Sequence, residues 1–161
     1  MLCPKEIPEL LVTKEVQGNN ENDKDRLRLL QLMVHHLKER SHVQRTYVSV
    51  SCNSKGPIST RDMPRPNLID HIQGIEGTMQ DLLIYLKASE KDLHLVTLDF
   101  ASTDADDIRD LVSKCPKIKK IIIDQFGLTR ESLFSTETIS SHIQSFNCRL
   151  CLAKILAHFM D

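Results

Sequence analysis

The chain has no tryptophan and two tyrosines among 161 residues, so it lacks the aromatic platforms on which single-stranded nucleic acids stack. Five glycines leave no glycine-rich loop. Neither GxxxxGK[ST] nor GxGxxG occurs, and VSVSCNSKGPIST offers Lys55, Gly56, Ser59 and Thr60 at the wrong spacing for a phosphate cradle. No run approaches the roughly 18 apolar residues of a membrane span. Lys5, Glu6 and Glu9 interrupt the N-terminal stretch MLCPKEIPELLVTKEV, where a signal peptide needs an unbroken apolar core. An excess of either charge is also missing: 21 basic and 22 acidic residues leave a formal charge of -1, so no global field draws the chain to nucleic acid or anionic lipid. Five cysteines, an odd number scattered through the chain, do not make a secreted disulfide framework. These absences predict an intracellular protein, cytoplasmic or nuclear, with no membrane association and no cofactor.

What is present has the profile of one globular domain, with 40% hydrophobic and 27% charged residues. The polar stretch QGNNENDKD, residues 17–25, separates an N-terminal arm or linker (1–24) from a single domain (25–161). Leu27, Leu30, Met33, Val34 and Leu37 recur at helical spacing, with acidic residues before them and Lys38 and Arg40 after them. QRTYVSVSC, residues 44–52, alternates like a strand with one covered face, and the proline-containing segment 53–66 is a loop. Asn67 is placed to cap a helix over 68–87 that Gly74 and Gly77 weaken, with a break near Gly77. LHLVTLDF (93–100) and KIKKIIID (117–124) are strands flanking a helix over 105–115, which Pro116 ends. Helical spacing resumes over 131–146 through Leu133, Ile139, Ile143 and Phe146, and residues 148–161 fit strand or helix equally. Alternating helices and strands predict the α/β class, with a parallel sheet of three to four strands.

Several residues carry chemistry worth placing. Asp99 and Asp124 fall in or at the end of strands, where α/β proteins often do acid-base or metal work, and Cys52 sits at another strand end. Asp104, Asp106 and Asp107 open a helix, where negative charge is favourable for capping alone. The Cys52-to-Arg61 spacing is too long for a phosphatase loop, which favours an inert thiol. His142, Cys148, Cys151 and His158 include the one CxxC and could supply four zinc ligands, but at a spacing no standard finger uses. Lys114, Lys117, Lys119 and Lys120 form the one basic cluster, a minority argument for nucleic-acid contact.

Leu95, Leu98 and Phe100 are echoed 23 residues later by Ile118, Ile121 and Ile123, with a short helix ending in Cys115-Pro116 between the copies. Over residues 95–133 this pattern resembles the leucine-rich repeats of F-box and NLR-type proteins. The resemblance implies a non-catalytic surface that binds another protein, with Thr97, Asp99, Lys119, Lys120 and Ile122 as contact candidates. Two architectures follow: a compact αβα Rossmann-like sheet, or a leucine-rich-repeat-like C-terminal half. The functional expectation is a protein–protein interaction or scaffold module. A hydrolase-like α/β enzyme using Asp99, Asp124 or Cys52 is the competing class, and a nucleic-acid-associated regulatory factor is the third.

Overall fold

The computed structural model describes residues 9–13, 23–50, 57–98, 105–124 and 131–142. In chain order these form β1 (Glu9–Thr13), α1 (Asp23–Arg40), β2 (Thr46–Ser49), two 3-10 turns (Ile58–Thr60 and Asn67–His71), α2 (Met79–Ala88), β3 (Leu93–Leu98), α3 (Ala105–Lys114), β4 (Ile118–Asp124), β5 (Glu131–Ser135) and α4 (Ile139–His142). The strands make one mixed sheet in the order β2-β1-β3-β4-β5. β1 runs parallel to β2 and β3, β3 runs parallel to β4, and β5 closes the far edge antiparallel to β4. The α/β class therefore holds, while the all-parallel sheet of three to four strands becomes four parallel strands and an antiparallel fifth.

Both faces of the sheet are covered because alternate strand residues point to opposite sides. Val48, Val96 and Leu98 pack against Leu30, Met33, Val34 and Leu37 of α1. Tyr47, Leu95, Ile121 and Ile123 face the other way and meet Met79, Leu82 and Leu86 of α2 with Ile108 and Leu111 of α3. Side chains such as Leu82 and Ile108, with 0% exposure, contribute about 1.5–3 kcal/mol each by leaving water. The four residues of β2 are all buried, so the expected single covered face is corrected. Its Tyr47 and Ser49 lie under structure as surely as Val48.

Three segments depart from the sequence expectation. Residues 9–13, expected in an arm, instead form β1 between β2 and β3, because parallel partners on both sides stabilise a strand too short to announce itself. The helix expected over 68–87 is interrupted near Gly77 as expected, but its first half is only a 3-10 turn from Asn67, and a separate α2 starts at Met79. Gly74 takes φ +76, which a helix cannot accommodate. The next residues run as a ribbon beside β2: Glu76 donates its amide to the Thr46 carbonyl (2.8 Å), and the Gly77 carbonyl accepts from Val48 (3.0 Å). A Cβ at Gly77 would collide with the Asp81 side chain. Thr78 then restarts the helix with a capping box. Its hydroxyl accepts from the Gln80 amide (3.2 Å), and Asp81 Oδ2 accepts from the Thr78 amide (2.8 Å). Of the helix expected over 131–146, the described part is β5 followed by the short helix α4, and residues 143–146 lie outside the described residues. In β5, Phe134 packs on the core opposite Ile121, and Leu133 is 62% exposed.

The ribbon also closes one edge of the sheet. Glu76 Oε2 accepts from the Thr46 amide, Asp62 Oδ1 accepts from the Val50 amide (2.9 Å), and Arg26 Nη2 donates to the Val50 carbonyl. The outward amides of Thr46, Val48 and Val50 and the carbonyls of Thr46 and Val50 are thus engaged by side chains and by residues 76–77.

Candidate functional site

The C-terminal ends of four parallel strands, Thr13, Ser49, Leu98 and Asp124, share one edge of the sheet. The strand order reverses there between β1 and β3, and open α/β sheets commonly receive their ligands at such a reversal. Of the three catalytic candidates, Asp124 is described; Asp99 and Cys52 lie outside the described residues.

Asp124 has 0% exposure beneath the last turns of α1. Ser41 Oγ donates to its Oδ2 (3.2 Å), His36 Nε2 stands 3.5 Å from the same oxygen, and Arg40 Nη1 is 3.4 Å from Oδ1. The i, i+4 spacing of His36 and Arg40 brings both onto the strand end from one side of the helix. The set contains the residue types of a nucleophilic triad but not its connectivity. A triad needs its hydroxyl to donate to the imidazole, whereas Ser41 donates to the carboxylate. The arrangement acts as an ionic tie between α1 and β4.

Two more acidic residues do similar work, and sequence reasoning missed one of them. Asp62, with φ +58 and 5% exposure, accepts from the Val50 amide through Oδ1 (2.9 Å) and the Met79 amide through Oδ2 (3.2 Å), joining the end of β2 to the start of α2. Asp107 accepts from the Ile58 amide (3.1 Å) and pairs with buried Arg61 (3.0 Å), so its role extends beyond the start of α3. The adjacent Arg61-Asp62 pair inside a proline-containing loop was the available signal for both contacts.

The chain matches no family model, and no curated protein or solved structure matches it.

The contact candidates divide. Thr97 has 0% exposure and Ile122 is half-buried against the α1 cluster, which corrects their expected place on an open strand face. Lys119 and Lys120 are exposed at the start of β4. Lys119 Nζ lies 3.7 Å from Asp92, and Lys114 pairs with Asp110 at 2.8 Å, so nearby carboxylates offset part of the basic cluster. His142 is the last residue of α4, while Cys148, Cys151 and His158 lie outside the described residues. Among the described residues no group of three His, Cys, Asp or Glu side chains is placed to hold a metal, and no helix is long and apolar enough to cross a membrane.

Cys115, buried at 3% exposure, closes a small cavity of about 60 Å³ between α2 and α3. Burial pushes its thiol pKa above the usual 9.0, opposed by Lys87. In a chain whose other four cysteines are replaced by serine, the native Cys115 thiol should therefore react slowly with DTNB near pH 8, and urea should release its full reactivity. The raised folded pKa also makes its contribution to stability complete below about pH 9 and lost above it, because the unfolded thiol ionises first. Equal DTNB rates for folded and unfolded chain would overturn both statements.

A shallow, open depression lies on the exposed side of α1, among Lys24, Leu27, Arg28, Gln31, Leu32 and His35. These recur every three or four residues, so they form one stripe of the helix. Leu32 is 51% exposed within it, and Gln31 is held by two bonds to the Gln73 backbone, at 2.9 and 3.1 Å.

Proposed function

We propose that this chain is a non-catalytic intracellular interaction module whose exposed α1 stripe receives an acidic, apolar helical segment of another protein. The observation that carries the proposal is the stripe itself. Exposed Leu32 and half-buried Leu27 supply apolar contact, while Lys24 and Arg28 supply positive charge along the same wall. A helix with apolar residues every three or four positions and carboxylates beside them is its complement. The odd cysteine count supports a reducing compartment.

The architecture we propose is a compact αβα, Rossmann-like sheet in preference to a repeat array. Support comes from β1 lying between β2 and β3, and from α1 packing on the opposite face from α2 and α3. A repeat array would keep sequential strands adjacent in order. The enzyme alternative is weakened where it can be placed, since Asp124 is fully covered, paired with Arg40 of α1 and bonded to Ser41 just after it.

Display of random peptides against the immobilised chain tests the proposal. Enriched sequences should be acidic with apolar residues at helical spacing, and Arg28→Glu and Leu32→Glu should each weaken their binding by about tenfold or more. No enrichment, or peptides that bind both variants as tightly as the parent, would sink it.

A further inference from the structure

The two edges of the sheet differ. The β2 edge is occupied by Glu76, Gly77, Asp62 and Arg26. Among the described strands β5 is terminal, and the ladder shows which of its groups face outward. Thr136 donates its amide to the Lys119 carbonyl (3.1 Å), so residues 136, 134 and 132 form the hydrogen-bonded pairs with β4. Because such pairs alternate along an antiparallel ladder, the amide and carbonyl of Leu133 point away from β4. Its side chain is 62% exposed at the same position.

We infer that β5 is the seat of a symmetric homodimer, in which two copies pair edge to edge in antiparallel fashion about Leu133. The sequence Glu131-Ser-Leu-Phe-Ser135 complements itself in that register. Leu133 faces its own copy, Ser132 faces Phe134, and Glu131 faces Ser135, so no like charges are opposed and the central pair is apolar. The two Leu133 residues exchange two N–H···O bonds. Each Ser135 amide reaches the Glu131 carbonyl of the second copy, giving four bonds across a two-fold axis. The Ser135 carbonyl already accepts from the Thr138 amide (3.1 Å) and hydroxyl (3.2 Å), which sets the end of the new ladder. A second copy fits this edge better than an indefinite stack does, because the β2 edge is blocked. Association through the β5 edge, the one left open among the described strands, therefore closes at two.

Light scattering over a dilution series reads the stoichiometry, and hydrogen exchange reads the edge. The expected mass rises with concentration to twice 18.4 kDa and no further. The Leu133 and Ser135 amides should be protected in the dimer and should exchange freely on dilution. Leu133→Lys sets two like charges opposite one another and should weaken association about tenfold or more, with unchanged circular dichroism. Leu133→Pro removes the central donor without touching the β4 ladder and should give a monomer. If the proline variant fails to fold, the lysine variant still decides the matter. A chain that stays monomeric at its solubility limit overturns the inference, as does a dimer indifferent to Leu133→Lys. Assembly beyond two, or Leu133 protection that ignores concentration, overturns it as well.

Discussion

Replacing Asp62 with glycine should lower the unfolding free energy by about 2–4 kcal/mol, with the urea m-value unchanged. The substitution leaves the buried amides of Val50 and Met79 without the acceptors they have at 2.9 and 3.2 Å, and each unsatisfied buried donor costs about 1–3 kcal/mol. Glycine suits the backbone at φ +58, so it isolates the hydrogen bonds. Asp62→Ala adds about 1 kcal/mol more, from forcing a Cβ into the left-handed region. A total of that size is a large share of the 5–15 kcal/mol typical of a domain. If the glycine and alanine variants unfold together within about 0.5 kcal/mol of the parent, Asp62 does not hold β2 to α2.

Asp124→Ala should cost about 3 kcal/mol, or about 6–12 °C in melting temperature for a chain of this length. It removes the acceptor for Ser41 and the counter-charge for Arg40, beneath a helix that keeps water away. Arg40→Met should cost less, about 1 kcal/mol, because Arg40 is 29% exposed and Ser41 remains bonded to the carboxylate. The double variant should cost less than the two single losses together, since they share one interaction. Calorimetry of the four proteins checks this. A fully stable Asp124→Ala protein would return the carboxylate to the list of groups free to do chemistry.

The parts of the fold legible in the sequence were those whose local pattern and tertiary role agree. Leu30, Met33, Val34 and Leu37 are both a helical stripe and the buried side of α1. β3, α3 and β4 were legible for the same reason: their strands are apolar on both faces because both faces are covered. β1 was hidden because ELLVT carries no long alternation, and its stability comes from partners distant in sequence. β5 was misread because Leu133, Ile139, Ile143 and Phe146 match a helix, although Phe134 rather than Leu133 joins Ile139 at the core. Of the site residues, the position of Asp124 at a strand end could be read directly. Its neutralisation by Arg40 and its bond to Ser41 could not, since those contacts join segments more than 80 residues apart.

The central place of β1 bears on how the chain reaches this state. Glu9 pairs with Leu95, so the middle of the sheet cannot form until a loop of more than half the chain has closed. Ordering so long a loop before its contacts repay the entropy makes folding slow relative to a helical protein of this size. On a ribosome, β1 and β2 can meet early, but their shared sheet stays open on the β1 side until β3 emerges. Loss of the first thirteen residues would then remove the strand that every early contact of the sheet depends on, while taking away less than a tenth of the chain.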